Sequence, residues 1–325
     1  MSTLRETGEF GLIHRLTHIL PAAPAVLEGI GDDCAVLRVF DRKLLASCDL
    51  LVEDVHFERR NTSPEDIGWK AATASLSDVA AMGGAPLFAL VALACPADTE
   101  VAFIEGLYHG LSDAVWQAGA VVVGGDTTAA PERITLDVTV LGEVIANRYL
   151  PRHGAQVGDL LGVTGRLGRS AAGLFALAAG HDAPVLANAH RHPVARLAEG
   201  QWLSACLQAH AMIDVSDGLI QDVGHVAEAS KVGVDIDPEG LPADPDLGRY
   251  CEAHGLDPLD FMLTGGEDYE LAFAIAPDDV ESCLNRFHRE FRTPISLVGT
   301  FTDAWSRVRV AGESPPARGG FDHFK

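Results

Sequence analysis

The chain has 325 residues, of which 47% are hydrophobic, so it is long enough to form two domains that each bury a core. Its 46 aspartates and glutamates outnumber its 24 lysines and arginines and give a net charge of −22. A surface this acidic repels nucleic acids and anionic membranes, so we expect neither as a partner.

Strand-like and helix-like segments alternate along the first half of the chain, which predicts an α/β fold built in layers. Ser63 followed by Pro64 is typical of a helix start, and Thr99 is expected to cap a second helix. The predicted elements of this half are strands at 44–48, 87–94, 120–123 and 134–144 and helices at 63–82 and 99–115.

The alternation resumes after residues 147–158, where prolines and glycines interrupt the pattern. We therefore predict a first domain at 1–148 and a second domain at 149–325. The predicted elements of the second half are strands at 159–163, 212–215 and 269–276 and helices at 170–179 and 217–230.

The six cysteines form no C-x-x-C pair and have no zinc-site spacing to histidines, as is typical of reduced thiols in the cytosol. The N-terminus carries Arg5, Glu6 and Glu9 without an apolar run, so no signal peptide is expected. The longest apolar stretch, 87–95, has the length of a buried strand and is far shorter than a membrane span. These features together predict a soluble, cytoplasmic protein.

Acidic residues recur beside glycine or serine where the predicted strands begin or end. Ligands of open α/β sheets bind at strand ends, magnesium prefers carboxylate and phosphate oxygens, and glycine lets backbone amides approach a phosphate. Together these features predict magnesium-dependent phosphoryl transfer. The segments concerned are 31–33 (GDD), 47–49 (SCD), 124–126 (GGD), 214–218 (DVSDG) and 265–268 (GGED).

Each of these motifs also has a structural interpretation, since a single Gly-Asp or Ser-Asp is more often a turn or a helix cap. Asp217, at a predicted helix start, is a plausible N-cap. Asp78 lies near a predicted helix C-terminus, where a carboxylate meets the negative end of the helix dipole and a cation would stabilise it. Most histidines are scattered, but His56 follows shortly after Asp49.

Several common catalytic motifs are missing from the sequence. It contains no G-x-x-x-x-G-K-[ST], no H-E-x-x-H and no G-x-S-x-G, which excludes a P-loop and argues against zincin and α/β-hydrolase chemistry. The glycine-rich stretch 162–168 lacks the dinucleotide spacing. We interpret it as a strand-to-helix turn with a structural role, although contact with a phosphate stays open.

Taken in order, the motifs resemble those of thiamine-monophosphate kinases along nearly the whole chain. The resemblance implies a PurM-like two-domain fold, with a mixed sheet and helices in the N-terminal domain and an α/β C-terminal domain. It also implies a homodimer that uses ATP and several Mg²⁺ ions to phosphorylate thiamine monophosphate directly, without a phosphoenzyme. The segments that carry it are 29–35 (GIGDDCA), 76–83 (LSDVAAMG), 124–128 (GGDTT), 214–219 (DVSDGL), 265–271 (GGEDYEL) and 320–324 (GFDHF).

The same resemblance implies roles for individual residues. The implied metal ligands are Asp33, Ser47, Cys48, Asp49, Asp78, Asp126, Asp214 and Asp217, of which Asp126 and Asp217 are the expected catalytic residues. The implied ATP contacts are Gly125, Asp126, Arg152 and Ser216, with an adenine contact at Tyr108 or His109. The implied thiamine monophosphate contacts are His56, Glu267 and Phe321. Two positions depart from the family, because Cys48 stands where Thr is frequent and Phe321 where Trp or Tyr is common.

Two other functions remain open on this fold. A selenophosphate or aminoimidazole ribonucleotide synthetase shares the architecture, but the selenophosphate enzyme favours a reactive Cys or selenocysteine near a Lys, and none precedes Gly31. A non-catalytic nucleotide-binding protein would lack the metal-binding carboxylates, which are all present here.

Overall fold

The first half of the chain folds into a six-stranded sheet with helices on one face. The computed structural model describes residues 3–19, 23–278, 280–315, 320, 321 and 323. The strands are β1 (Val26–Glu28), β2 (Ala35–Val39), β3 (Arg42–Val52), β4 (Gly84–Cys95), β5 (Val121–Ala129) and β6 (Thr135–Val144). The helices are α1 (Leu4–Thr7), α2 (Glu9–Thr17), α3 (Pro64–Ala81) and α4 (Val101–Gln117). The strand order is β1-β2-β3-β6-β4-β5, and only the β4–β5 pair is parallel.

The second half forms another six-stranded sheet surrounded by shorter helices. Its strands are β7 (Leu160–Thr164), β8 (Ala209–Val215), β9 (Gly233–Ile236), β10 (Glu270–Ile275), β11 (Ile295–Thr302) and β12 (Val308–Val310). Its helices are α5 (Arg169–Ala179), α6 (Pro184–Arg191), α7 (Leu197–Ala205), α8 (Leu219–Ser230), α9 (Pro245–His254), α10 (Pro258–Thr264) and α11 (Val280–Glu290). The strand order is β12-β9-β11-β7-β10-β8. Both halves therefore combine a sheet with helices, which confirms the α/β class expected from the sequence.

Helix α3 is the central element of the molecule. The Ser63 hydroxyl accepts the Asp66 N–H at 3.1 Å and Pro64 occupies the first turn, which begins the helix as the sequence predicts. The helix is buried on nearly every side, between the first sheet, α4 and the second half of the chain. Glycine permits the contact with α4, because a Cβ at Gly110 would overlap the backbone carbonyl of Glu65.

Several side-chain contacts join α3 and its neighbours to the second half. The Trp69 indole donates to the Pro193 carbonyl at 2.6 Å. The Arg148 guanidinium donates to the carbonyls of Ser204, Cys206 and Ala209 at 2.5–2.6 Å, between the last turn of α7 and the start of β8. These contacts connect the two sheets, while the predicted domain boundary at 148/149 stays a prediction.

Three details differ from the sequence-based expectation. Thr99 does not cap α4, because its N-cap is Glu100 and no side chain caps it. Strand β5 continues through Gly125 and Asp126, because Gly125 adopts φ +155° and leaves room for the Val91 carbonyl. Helix α8 begins at Leu219, so the N-cap interpretation of Asp217 is wrong.

No helix in the described part of the chain is both long and apolar enough to cross a membrane.

Candidate active site

Three carboxylates from distant parts of the chain meet between the two sheets. Asp33 precedes β2, Asp78 lies in the last turn of α3, and Asp214 is the penultimate residue of β8. One carboxylate oxygen of each lies within 4.8 Å of the others. We call these residues the carboxylate cluster, and the sequence had assigned all three to metal binding.

Hydroxyl groups and one arginine surround the carboxylate cluster. Ser47 donates a hydrogen bond to Asp78, and Ser77 donates to Asp214 at 2.6 Å. On the other side, the Arg152 guanidinium contacts the Asp33 carboxylate at 2.6 Å. Arg152 therefore lies beside the carboxylate cluster, and its contact with the ATP phosphates stays a prediction.

Burial makes the ionised state of the cluster costly. Burial, and next to it the charge of Asp33, raises the pKa of Asp214 to about 8. Burial, and then the charges of Asp49 and Asp214, raises the pKa of Asp78 well above its ordinary value. The three carboxylates therefore repel one another unless protons or a cation neutralise them.

The cluster and the neighbouring Asp49 also have unused oxygen atoms. Asp33 Oδ2 and Asp49 Oδ2 are buried and have no hydrogen-bond partner among the described residues. Buried polar atoms normally have partners, so these oxygens indicate a group that binds here. An all-oxygen donor set suits a hard divalent cation such as Mg²⁺.

Strand β3 divides the predicted metal ligands between the two faces of the sheet, because side chains alternate along a strand. Ser47 and Asp49 point to the face covered by α3, toward the cluster. Cys48 points to the open face, where its thiol donates to Asp137 at 2.9 Å. Cys48 therefore cannot offer its sulfur to the cluster, and its role as a ligand stays a prediction.

Asp126 and Gly125 lie far from the cluster within this chain. They are exposed on β5, and the strands β4 and β6 separate them from β3. Three strand spacings correspond to roughly 14 Å. His109 is also exposed, on α4, while Tyr108 is partly buried. The assignments of Asp126, Gly125 and His109 stay predictions, and the strand order keeps Asp126 and Gly125 away from the cluster within one chain.

A cavity of about 910 Å³ opens beside the cluster. Its walls include Asp49, Asp78 and Asp214 at one side and His56, Glu267 and Phe321 at another, with Ser216 and Asp217 also exposed to it. The cavity thus brings several of the expected metal ligands and the expected acceptor contacts into one space.

The loop before α8 presents Ser216 and Asp217 to this cavity. The Asp222 carboxylate accepts the backbone N–H groups of Ser216, Asp217 and Gly218 at 2.9–3.1 Å, which fixes the loop. Burial, and then the charge of Glu9, raises the pKa of Asp217 to about 6. Gln221 donates to its carboxylate at 2.9 Å. Asp222 thus caps this loop, a role that the sequence analysis did not predict.

Ring side chains and a carboxylate form the far wall of the cavity. His56 Nδ1 accepts the Val52 N–H at 3.0 Å, and its ring lies 5.0 Å from that of His323. Burial lowers the pKa of His56 below its ordinary value. The Phe321 ring meets His323 edge-on at 4.8 Å. Asp322 and Phe324, from the same predicted motif, lie outside the described residues.

The glycine-rich stretch 162–168 forms the expected strand-to-helix turn. The Asp268 carboxylate accepts the backbone N–H groups of Gly168 and Ser170 at 2.6 and 3.0 Å. A protein carboxylate thus occupies the start of α5, which supports the structural interpretation of this turn.

Lys70 contacts the acceptor wall of the cavity, and the sequence analysis missed it. It shares a stripe of polar side chains on α3 with Thr73, Ser77 and Asp78, at the spacing of one helix face. A polar stripe in an otherwise apolar, buried helix was the signal that could have identified it.

Sequence comparisons place this site among known proteins. Residues 31–144 match the N-terminal domain family of AIR synthase related proteins, and residues 156–311 match the corresponding C-terminal domain family. The thiamine-monophosphate kinase of Aquifex aeolicus is 39% identical over 83% of this chain and 86% of its own. That of Escherichia coli K12 is 37% identical over 98% of both chains.

A comparison of structures gives a similar result. The solved structure described as AaThiL complexed with AMPPCP and TMP superposes with a TM-score of 0.89 at 35% identity. The match covers 99% of each chain, so it includes both sheets and the cavity between them.

Proposed function

The chain belongs to the thiamine-monophosphate kinase family, and we propose on this basis that it transfers the terminal phosphoryl group of ATP to thiamine monophosphate. The products are thiamine diphosphate and ADP. The observation that carries the proposal is the carboxylate cluster beside the acceptor wall in one cavity. Phosphoryl transfer depends mainly on positioning and charge neutralisation, and this arrangement offers both.

The carboxylate cluster would hold Mg²⁺ through Asp33, Asp78 and Asp214, with Asp49 and Ser47 beside it. When bound, Mg²⁺ neutralises charge on the phosphate oxygens of ATP. The raised pKa values of the carboxyl groups fit this role, since a bound cation favours their ionised forms. Room for several ions is part of the proposal.

The remaining residues orient the two substrates. In this proposal Arg152 and Ser216 contact the ATP phosphates, and Asp217 binds metal near the acceptor. Ser216 and Asp217 line the cavity, and Arg152 pairs with Asp33 of the carboxylate cluster, which supports these roles. Glu267 and Phe321 bind the thiamine moiety. The acceptor phosphate then attacks in line, and no side chain becomes phosphorylated.

The open face of the first sheet supports a homodimer. Leu50, Phe88 and Leu90 are exposed there beside Cys48 and Asp126, and among the described strands β5 forms an edge of the sheet without a partner on its outer side. Exposed apolar residues and a free sheet edge are typical of an interface. We infer that a second copy covers this face and that its β5 brings Asp126 and Gly125 to the site of the first copy.

A coupled ADP assay tests the function. With ATP and Mg²⁺, thiamine monophosphate should stimulate ADP formation, whereas thiamine and a blank without acceptor should not. Chelation of the metal should abolish the stimulation. If a folded preparation forms no more ADP with thiamine monophosphate than without it, the proposal is wrong.

A synthetase of the same fold is the second candidate, but the relatives described above favour the kinase. We also propose a cytoplasmic location. All six cysteines lie in the described part of the chain and none forms a disulfide, as in a reducing compartment. Cell fractionation would test this location.

A further inference from the structure

Lys70 is one of the most deeply buried side chains in the described structure. Only 2% of its side chain is exposed, although it carries an ammonium group in the middle of α3. A buried charge is costly unless it is paired and hydrogen-bonded. The partners of Lys70 therefore account for its position.

The partners of Lys70 are two residues of the acceptor wall. Its Nζ lies 2.5 Å from Glu267 Oε1 and donates to the backbone carbonyl of His56 at 3.0 Å. The other oxygen, Glu267 Oε2, lies 3.4 Å from His190 Nδ1. Burial, and then the charge of Lys70, lowers the pKa of His190 to about 4, so His190 is neutral near pH 7. Lys70 is thus the permanent charge that balances Glu267.

The backbone of Glu267 is held by the loop before α8. Its backbone has φ +64°, and its N–H donates to the Ser216 carbonyl at 2.7 Å. Burial alone would raise the pKa of Glu267, but Lys70 offsets this effect, and the net pKa is lower than the ordinary value. An ionised carboxylate has about four acceptor positions, so its remaining lone pairs can accept donors from the cavity.

Resting on the proposed function, we propose that Lys70 is a positioning residue that directs Glu267 toward the amino group of the acceptor's pyrimidine ring. That amino group is the N–H donor of thiamine monophosphate, whereas the thiazolium ring offers positive charge without an N–H. Through its bond to the His56 carbonyl, Lys70 also fixes a second part of the acceptor wall. Lys70 thereby contributes to acceptor specificity without touching the acceptor.

The inference also explains why α3 carries this lysine. Lys70 and His56 belong to the first half of the chain, whereas Glu267 belongs to the second. The ion pair therefore completes the acceptor wall only when the two halves are docked. The ATP side of the cavity has its own links between the halves, through Ser77–Asp214 and Arg152–Asp33.

The substitution Lys70→Met tests this role, because Met keeps an unbranched side chain that is one atom shorter and removes the charge. The KM for thiamine monophosphate should rise about ten-fold, the factor expected for one lost charge-assisted hydrogen bond, with the KM for ATP within about two-fold. The kcat/KM preference for thiamine monophosphate over oxythiamine monophosphate, which has an oxo group in place of the amino group, should fall. Lys43→Met, at a lysine that donates to the Asn147 carbonyl near the surface, is the matched control and should change neither value.

A double-mutant cycle with Glu267→Gln shows whether Lys70 acts through Glu267. We compare the change in acceptor KM caused by Lys70→Met in two backgrounds, on a logarithmic scale. The change in the Glu267→Gln background should be less than half of the change in the wild type. The double variant leaves no unpaired charge, so it remains informative if Lys70→Met alone does not fold. In that case the double variant and Glu267→Gln should have equal acceptor KM values within about two-fold.

The outcomes separate the two proposals. A wild-type enzyme that ignores thiamine monophosphate overturns the proposed function and this role with it. If the wild type is active, any of three results overturns the role of Lys70 and leaves the proposed function intact. These are an unchanged acceptor KM in Lys70→Met, an equal rise in both KM values, and additive effects of Lys70→Met and Glu267→Gln.

Discussion

At the scale of single residues, Phe321 shows how the end of the chain reaches the cavity. The residue is 44% exposed and lines the cavity, while its backbone N–H donates to the Asp217 carbonyl at 3.2 Å. A residue that only anchored the chain end to the core would bury its ring. The exposed ring face instead suits a cationic ligand, such as the thiazolium of the acceptor.

Replacing Phe321 tests this contact. A ring face attracts a cation by roughly 0.5–2 kcal/mol, so Phe321→Ala should raise the KM for thiamine monophosphate about two- to thirty-fold. The KM for ATP should barely change, and Phe321→Trp should be tolerated. Steady-state kinetics with each substrate varied in turn would measure this. A Phe321→Ala enzyme with both KM values raised equally and a lowered Tm would instead indicate a structural residue.

The carboxylate cluster makes the metal-free protein sensitive to pH. Asp214 has a pKa of about 8 in the folded state against 3.8 without its surroundings. Between these values the folded state keeps a proton that the unfolded state has released, so stability falls as pH rises. The Tm of the wild type in chelator should therefore decrease from about pH 4 to about pH 8.

The substitution Asp214→Asn should separate stability from activity. It removes one titrating carboxylate, so the decrease in metal-free Tm with pH should become shallower, although Asp33 and Asp78 still contribute. Turnover with Mg²⁺ should fall about a hundred-fold or more, because several kcal/mol of charge stabilisation are lost. Thermal scans and initial rates would test both, with the exposed turn variant Asp41→Asn as the control. An Asp214→Asn protein with the wild-type pH profile would remove Asp214 from the cluster.

The sequence made some of these residues recognisable and left others hidden. Asp33, Asp78 and Asp214 belong to recognisable motifs near the ends of predicted strands and helices. Their role as metal ligands and their positions at these ends could therefore be predicted. Lys70 was harder to recognise, because a helical lysine is usually solvated and its partner Glu267 is distant in sequence. The polar stripe on α3 was the one sequence signal that pointed to it. The opposite orientations of Cys48 and Asp49 follow from strand alternation, but the register had to be known first.

At the scale of elements, the packing of α3 against α4 depends on glycine. Gly110→Ala should lower the free energy of unfolding by about 1–3 kcal/mol, because the added methyl group would overlap the Glu65 carbonyl and push the helices apart. Urea unfolding would measure the change. Gly248→Ala in α9 is the matched control, since open space surrounds that position and the helix should gain up to about 1 kcal/mol. Equal stabilities of Gly110→Ala and the wild type would contradict the close contact.

Long periodic elements were predicted well, and elements defined by tertiary contacts were not. The predicted helix 63–82 and strand 134–144 agree closely with Pro64–Ala81 and Thr135–Val144, because their caps and alternation are local. Gly125 suggested the end of a strand, yet β5 continues because a residue without Cβ lets it lie close to β4. The sequence around Gly125 does not show that β4 will lie beside it.

At the scale of the whole molecule, the separation of Asp126 from Asp214 predicts a site shared between two copies. Asp126→Asn and Asp214→Asn should each have little activity alone. When the two variants are co-expressed with different tags and purified as mixed dimers, one of the two sites should contain both native aspartates. The mixed dimers should then regain about half of the wild-type turnover per dimer.

Two results would contradict the shared site. Inactive mixed dimers would mean that Asp126 acts within its own chain. A fully active Asp126→Asn homodimer would remove Asp126 from the reaction.

The position of α3 between the two sheets has a consequence for synthesis on the ribosome. Asp214, which accepts the hydrogen bond of Ser77, follows it in the sequence by 137 residues. At about 5–20 residues per second, the ribosome needs roughly 7–30 s to make that stretch, and Glu267 emerges later still. During this interval Lys70 lacks its ion-pair partner Glu267, and Ser77 lacks its acceptor Asp214. We therefore expect the nascent first half to stay loosely packed until β8 and the loop before β10 have left the exit tunnel.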